Sequence, residues 1–292
     1  MSPLELIGLP ALMAVTSGRR EIVIGLLDGP VAIDHSDLVS ESIRGIPGGV
    51  PGRCAEASSS ACQHGTFVAG ILTARRGLSA PGICPDCSLL VRPIFSEAAA
   101  KDELLPSATP AQLATAIGDC IDAGARVVNL SAAMGQPSTR AEPEVHDALD
   151  YAARKGVIVV AAAGNQGTLG SSAITRHPWV LPVVGYGGDG RPLVQSNLGR
   201  SMGRHGLGAP GEEVTSLSST GEPLTLAGTS FAAAFVTGAI ALLWSAVPGA
   251  TAVEVKYAIC YGRRRASVVP PLLDAWGAYQ MLSATQARRV TA

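Results

Sequence analysis

The segment 226–244, LAGTSFAAAFVTGAIALLW, combines two hydroxyl side chains at its head with an otherwise almost wholly apolar run. Between Phe231 and Trp244 the only clearly polar residue is Thr237, so a helix here is apolar on every face. Because such a helix is stable only when it is buried, this one is predicted to lie at the centre of the fold. Ser230 then stands at the N-terminus of a buried helix, where a serine either caps the helix or does chemistry.

Short apolar runs rich in β-branched residues lie upstream of this helix. They cover residues 21–27, 88–95, 125–130, 156–163 and 179–186. Runs without alternation of apolar and polar residues favour strands that are covered on both faces. Helix-like segments lie between them, at residues 65–76, 109–124 and 142–156. Pro110 near one helix start, and Gly124 and Gly156 near two ends, are typical helix punctuation. The alternation predicts an α/β fold, a doubly wound, mainly parallel sheet with helices on both faces.

The composition narrows the class of protein. The chain has 292 residues, of which 47% are hydrophobic and 15% charged, enough to bury a large core. Its 22 basic and 23 acidic residues leave no net field to attract nucleic acid or an anionic membrane surface. The longest apolar runs are broken by Thr, Gly or Pro, so no membrane-spanning helix is expected. The N-terminus lacks the basic region and clean apolar core of a secretory signal, which favours a cytoplasmic protein or one domain of a longer chain.

Six cysteines are too few for a disulfide scaffold in a chain of this length. They are Cys54, Cys62, Cys84, Cys87, Cys120 and Cys260. The first two flank the short loop CAEASSSAC, and the next two form CPDC. Buried thiols and one or two local disulfides are both compatible with this spacing. A zinc site made from both pairs is disfavoured, because the flanking residues are not those typical of metal-binding knuckles.

Polar residues follow several predicted strands. Asp28 comes after the first strand, Ser131 after residues 125–130, and Asn165 after GVIVVAAAG. The carboxyl ends of parallel strands face one crevice, so these side chains are expected to lie close together. His64 heads a further apolar helix in QHGTFVAG. Taken one at a time, each of these residues has an ordinary structural role in a turn or a cap.

Taken together, the order Asp, His, Asn, Ser resembles the subtilisin-like serine proteases, the subtilase family, for which the chain order Asp, His, Ser is known. The segments that carry the resemblance are LDGPV, HGTFVAG, AAAGNQG and AGTSFAA. The spacings of 36 residues from Asp28 to His64 and 166 residues from His64 to Ser230 also suit the family. The resemblance implies a catalytic domain over 21–283. An N-terminal extension, 1–20, would pack on it, and 284–292 would form a frayed tail.

The resemblance implies a serine endopeptidase that works through an acyl-enzyme without a cofactor. His64 would be the general base for Ser230, and Asp28 would hold the other ring nitrogen. The Asn165 amide and the Ser230 backbone N–H would stabilise the oxyanion. The walls of the pocket for the residue before the scissile bond would be Ser131, Ala132, Ala133, Ala163 and Gly164. Their small side chains predict an open, apolar slot.

Two segments depart from the family pattern. Phe67 stands where the family usually has a histidine after HGT, and Ala233-Ala234-Phe235 replaces a Ser-Pro-His run. None of these residues belongs to the triad. As a hypothesis, alanine at position 234 relaxes the first turn of the helix and shifts Ser230. Such a shift would favour capture of the acyl-enzyme by an amine over water, which is the reaction of a transpeptidase.

The calcium loop that is familiar in the family looks absent from this sequence. Asp37 remains as one candidate ligand, but the segment 74–84, ARRGLSAPGIC, offers two arginines and no carboxylate or asparagine. Because calcium requires converging oxygen ligands, positive charge here argues against it. No metal is expected, and folding is predicted to be independent of calcium.

The N-terminal segment and the run SLLVRPIF are similar to those of proteases that mature cyanobactin-type ribosomal peptides. The substrate would then be a peptide or protein, in this branch a ribosomal precursor peptide. Two other functions stay open. A transpeptidase or macrocyclase would use the same acyl-enzyme, although no large insertion lies between Asp28 and His64 to shield it from water. A peptide-binding scaffold without activity would normally have lost a triad residue.

Overall fold

The computed structural model describes residues 2–48, 50–97, 108–131, 142–260 and 267–290. Seven strands within these ranges form one sheet: β1 (Val23–Leu27), β2 (Ile43–Gly45), β3 (Ser88–Val91), β4 (Val127–Leu130), β5 (Ile158–Ala162), β6 (Val180–Tyr186) and β7 (Leu207–Pro210). A separate hairpin consists of β8 (Val214–Ser218) and β9 (Gly221–Leu226). The helices are α1 (Pro3–Leu6), α2 (Leu9–Val15), α3 (Ser60–Thr73), α4 (Pro110–Asp122), α5 (Pro143–Lys155), α6 (Ala173–Arg176), α7 (Arg200–His205), α8 (Thr229–Ala246), α9 (Ala252–Cys260) and α10 (Ala275–Val290).

All strand pairs of the large sheet are parallel, in the order β2-β3-β1-β4-β5-β6-β7. This arrangement confirms the predicted doubly wound α/β fold. The chain builds β2 and β3 on one side of β1 and then crosses to build β4 to β7 on the other side. Such a reversal opens a crevice at the carboxyl ends of the strands beside it, here β1 and β4.

Helices cover both faces of the sheet. Alternate residues of a strand point to opposite faces, so apolar side chains on both faces are buried against helices. Ile24 and Leu26 of β1 belong to one core cluster, which also contains the buried residues of α3 and α8. Leu27 belongs to the other cluster, with Val128 of β4 and the buried residues of α4 and α5. The continuously apolar strands of the sequence are therefore explained by burial on both faces.

Helix α8 runs through the interior of the protein, and its side chains are almost all buried. Contrary to the expectation from the sequence, its length and composition alone are sufficient for a membrane span. However, 94% of the helix is buried inside the fold. Its apolar character is therefore accounted for by its position in the core.

The N-terminal residues pack against the rest of the fold. Ser2 begins α1 with a capping box to Glu5, and Leu9 and Leu12 of α2 are fully buried. The Ala275 N–H donates to the Ile7 carbonyl at 2.9 Å, which joins this segment to α10. Helix α10 itself continues to Val290, through most of the segment for which we expected a frayed tail. Contacts with α9 explain the difference, since Arg289 forms an ion pair with Glu254 at 2.8 Å.

Two of the six cysteines form a disulfide, and the other four are thiols. Cys54 and Cys62 are bonded to each other. Cys84, Cys87 and Cys120 are buried thiols, and Cys260 is a partly buried one. Of the alternatives that the sequence left open, the structure therefore contains one local disulfide, at the loop that precedes His64.

Candidate active site

Asp28 and His64 form a short contact at the carboxyl end of β1. Asp28 follows the strand directly and is fully buried, and its Oδ1 lies 2.6 Å from His64 Nδ1. The Gly29 N–H also donates to Oδ1, at 2.6 Å. The other oxygen, Oδ2, has no hydrogen-bond partner within the part of the chain that the structure describes. The carboxylate is thus positioned to hold the imidazole in one orientation.

Two glycines make this contact possible. An ideal Cβ on Gly65 of α3 would lie 2.4 Å from the Pro30 carbonyl oxygen, and one on Gly29 would lie 1.9 Å from the Ala61 carbonyl oxygen. A side chain at either position would push α3 away from the turn after β1. Ser59 caps the same helix by accepting the Cys62 N–H at 3.1 Å. The two glycines therefore allow α3 to lie close enough to the turn after β1 for His64 to contact Asp28.

The surroundings of His64 set its basicity. Burial alone would lower the pKa of the imidazole, but the charge of Asp28 and the hydrogen bond to it raise the pKa by more, so that it lies above its ordinary value. The side chain is 19% exposed. The centroid of its ring lies 5.4 Å from the ring centroid of Phe231 and 6.4 Å from that of Phe95. The backbone N–H groups of Ile94 and Phe95 both donate to the Asp28 carbonyl, which holds the segment after β3 beside the site.

Ser230 is the second residue of α8 and is buried. Its hydroxyl donates a hydrogen bond to the Ser131 carbonyl oxygen at 3.1 Å. None of the hydrogen bonds among the described residues joins this hydroxyl to His64. Catalytic hydrogen bonds are commonly loose before a substrate binds. For Ser230 to transfer its proton to His64, its hydroxyl must first leave the Ser131 carbonyl.

A buried chain of polar side chains supports Ser131. The Thr237 hydroxyl of α8 donates to Asn129 Oδ1 at 2.9 Å, and Asn129 Nδ2 donates to Ser131 Oγ at 3.0 Å. Asn129 and Thr237 are both fully buried. Their role was not predicted from the sequence, although a polar residue inside an apolar strand and another inside an apolar helix indicated it.

Asn165 lies beside the N-terminus of α8 and is exposed. Its Oδ1 accepts the Thr229 N–H at 2.9 Å, while the Thr229 hydroxyl accepts the Gly164 N–H at 3.2 Å. The Nδ2 atom faces Gly228, at 3.5 Å from an ideal Cβ built there. The Asn165 Nδ2 group and the Ser230 backbone N–H are thus two donors at one helix N-terminus, the arrangement that stabilises an oxyanion.

Asn197 organises the loop that carries Asn165, a role that was not predicted from the sequence. Its Oδ1 accepts the N–H groups of Gln166 and Thr168, each at 3.1 Å, and its Nδ2 donates to the Ala163 carbonyl at 3.1 Å. The signal in the sequence was the polar segment SNLG at residues 196–199.

Comparison with known proteins then identifies the family. A family model with the description Subtilase family matches residues 19–262, most of the chain. The chain belongs to the subtilase family. Membership confirms the resemblance seen in the sequence, and it supports the interpretation of this chain as a hydrolase of the serine protease class.

Individual relatives are similar at about 30% identity. Mycosin-1 of Mycobacterium tuberculosis is 32% identical over 251 residues, which cover 67% of this chain and 54% of the relative. The chain therefore spans about half the length of that protein. A solved mutant of the protease domain of PatA is 30% identical with a TM-score of 0.83, covering 92% of this chain and 97% of that one. The prenylagaramide maturation protease PagA is 27% identical with a TM-score of 0.82, covering 95% and 99%.

The structure of this subtilase brings part of the predicted pocket wall together. Ser131 follows β4, and Ala163 and Gly164 follow the neighbouring strand β5. Gly164 has a positive φ of 102°, and its N–H is held by Thr229. Ala132 and Ala133, the other two predicted wall residues, lie outside the described residues.

A guanidinium occupies the region in which the sequence suggested a missing calcium loop. Arg76 donates hydrogen bonds to the backbone carbonyls of Met13, Thr16 and Ile83. The Asp37 carbonyl accepts the Arg75 N–H at 2.8 Å. In this subtilase the positively charged Arg76 side chain thus binds carbonyl oxygens of both the N-terminal segment and the loop after α3. The independence from calcium stays a prediction.

Proposed function

We propose that this subtilase is a serine endopeptidase with Ser230 as nucleophile, His64 as general base and Asp28 as the residue that orients His64. The observation that carries the proposal is the 2.6 Å contact between the buried Asp28 carboxylate and His64 Nδ1. This contact leaves the Nε2 side of the imidazole to exchange a proton with a hydroxyl. The N-terminal position of Ser230 on α8 supports the second half of the assignment.

In the proposed reaction, His64 Nε2 takes the proton of Ser230 as Oγ attacks the carbonyl carbon of the scissile peptide bond. The oxyanion of the tetrahedral intermediate accepts hydrogen bonds from Asn165 Nδ2 and the Ser230 N–H. His64 then gives the proton to the leaving amine, and an acyl-enzyme remains on Ser230. Water, deprotonated by His64, then attacks the acyl carbon; the bond to Oγ breaks, the acid leaves, and His64 returns the proton to Ser230 Oγ.

We further propose that the substrate is a precursor peptide cleaved at a restricted site. Support comes from the similarity to PagA, whose name describes a maturation protease, and to the protease domain of PatA. The small wall residues Ala163 and Gly164 are compatible with a peptide backbone lying close to β5. Digestion of a peptide library, followed by sequencing of the products by mass spectrometry, tests the restriction. Cleavage without any residue preference would contradict a processing role.

The first experiment for the activity is labelling with an organophosphonate probe, followed by mass spectrometry of the intact protein and its peptides. We expect one adduct, located on Ser230, in the wild type and none in Ser230→Ala. Ser245→Ala is a matched control, since Ser245 is a second buried serine of α8 and donates to the Ala241 carbonyl. It should label like the wild type. Labelling of Ser230→Ala would show that another residue is the nucleophile. No labelling of a wild-type protein shown to be folded would favour an inactive scaffold.

The same peptide digestion, repeated with an excess of an amine nucleophile, separates a protease from a transpeptidase or macrocyclase. We expect the carboxylic acid product to predominate, because Asn165 is exposed and water therefore reaches the oxyanion side of the site. A predominant amide product would support the hypothesis that alanine at position 234 shifts Ser230. Ala234 itself is fully buried in α8.

A further inference from the structure

Two histidines and an aspartate meet on the surface of the protein, away from the residues of the proposed triad. His146 and Asp150 lie one turn apart on α5, and His177 follows the last residue of α6. Asp150 Oδ1 lies 3.2 Å from His177 Nε2, and Asp150 Oδ2 lies 3.4 Å from His146 Nδ1. One ligand atom from each residue lies within 4.8 Å of the other two.

The spacing of these atoms is that of a metal site. Zinc binds histidine nitrogen and carboxylate oxygen at about 2.0–2.2 Å in a tetrahedron, so neighbouring ligand atoms are about 3.3–3.6 Å apart. The two contacts of Asp150, 3.4 Å with His146 and 3.2 Å with His177, are close to this spacing, although each histidine contacts a different carboxylate oxygen. The two imidazole rings lie with their centroids 4.9 Å apart, in an edge-to-face arrangement. To share one ion, the three side chains must turn toward a common point.

The burial of the three side chains differs in a way that suits an ion with one open position. The His177 side chain is 2% exposed, whereas His146 is 63% and Asp150 47% exposed. A buried histidine supplies a fixed ligand, and the exposed side leaves room for a water ligand.

From this juxtaposition, we propose that His146, Asp150 and His177 bind Zn²⁺ and that the ion joins α5 to the connection between α6 and β6. Two imidazoles with one carboxylate select a borderline transition metal over Ca²⁺, which prefers oxygen ligands. Binding of the ion requires His177 to give up one hydrogen bond. Its Nδ1 accepts the Trp179 N–H at 3.3 Å, and this hydrogen bond opens when Nε2 binds the ion and Nδ1 carries the proton.

The position of the site gives the ion a structural effect. Among the helices in the described ranges, α5 is the next after β4, at whose end Ser131 lies, and α6 follows the loop that carries Asn165. An ion shared by these two elements would tie together the segments that leave the candidate active site. Because it binds the folded chain and not the unfolded one, it should raise the melting temperature with increasing concentration.

The test is calorimetric titration of ZnCl₂ into the full chain after removal of metal with a chelator. We expect one Zn²⁺ per chain in the wild type, and at least about tenfold weaker binding in both His146→Gln and Asp150→Asn. Both side chains are largely exposed, so these variants should fold, which circular dichroism checks. His35→Gln is the control for loss of a histidine elsewhere and should bind like the wild type. The melting temperature should rise with Zn²⁺ only in the wild type and in this control.

Cobalt distinguishes this site from other metal-binding groups in the chain. Bound Co²⁺ should show the visible d–d bands of a tetrahedral site with nitrogen and oxygen ligands, and these should disappear in His146→Gln. Thiolate charge-transfer bands would place the ion on cysteine instead, and unchanged binding in His146→Gln would place it elsewhere, for instance at His64. Either result, or the absence of Zn²⁺ binding to the wild type, would overturn the proposal.

Discussion

The backbone N–H of Thr229 donates a 2.9 Å hydrogen bond to Oδ1 of Asn165. A backbone N–H can pair only with the oxygen of a carboxamide, so this contact determines which way the Asn165 side chain is turned. Its Nδ2 group is left as a donor beside the N-terminus of α8. The donor is thus oriented in the absence of a substrate, as the proposed role of Asn165 in stabilising an oxyanion requires.

Replacement of Asn165 by alanine should lower kcat by about 10²–10³-fold with little change in KM, since the lost hydrogen bond forms mainly in the transition state. Steady-state kinetics on one cleaved peptide provide the measurement. Leu169→Ala is the control, because Leu169 is an exposed side chain of the same loop. A change confined to KM would show that Asn165 binds the substrate and does not stabilise the intermediate.

The acid limb of the pH profile should report His64. Because Asp28 raises the pKa of His64, kcat/KM of the wild type should fall as the pH decreases through a value above about 6.5. In Asp28→Asn the raising charge is absent, so the limb should move to lower pH, and kcat should fall about 10⁴-fold. An acid limb that stays in place in this variant would assign the titration to another group.

Thr237→Val should destabilise the fold by about 1–3 kcal/mol, because the buried Asn129 Oδ1 loses its donor. The matched control is Thr73→Val, since Thr73 is also fully buried but its hydroxyl donates to the Ala69 carbonyl within its own helix. Denaturant unfolding of both variants gives the comparison. Equal losses of stability would show that the chain from Thr237 to Ser131 adds nothing beyond burial of a threonine.

Removal of the disulfide in a double variant, Cys54→Ser with Cys62→Ser, should lower the free energy of unfolding by about 2.5 kcal/mol. This magnitude follows from the entropy of closing a loop of about nine residues in the unfolded chain. The melting temperature is measured with and without a reducing agent. The reductant should lower it in the wild type and leave it unchanged in the variant; a drop in both would place the sensitive bond elsewhere.

Arg76→Met should destabilise the protein, because three backbone carbonyls lose a charged donor that joins the N-terminal segment to the loop after α3. Arg75→Met, an exposed neighbour, should change the stability by less than about 0.5 kcal/mol. Neither Ca²⁺ nor a calcium chelator should change the melting temperature of the wild type. Strong stabilisation by Ca²⁺ would show that oxygen ligands converge despite the arginine.

The limits of each element depended on contacts that are remote in sequence. The apolar run 88–95 predicted one strand, but β3 ends at Val91, where its pairing with β2 stops, while the backbone bonds to β1 continue to the Asp28 carbonyl. The frayed tail expected for 284–292 is helical up to Val290, where Arg289 and Glu254 pair across two helices. Local propensity does not contain either contact, since its partners lie more than 30 residues apart.

The sequence by itself determined the order of strands and helices, the central place of α8 and the residue types of the candidate site. These properties follow from hydrophobic pattern and chain order, which are local or linear. Only the tertiary structure decided that Asp28 meets His64, that the Ser230 hydroxyl rests on the Ser131 carbonyl, and that His146, Asp150 and His177 converge. Such contacts join separate elements, and their geometry depends on how the elements pack, for example on whether Gly29 and Gly65 allow α3 to approach β1.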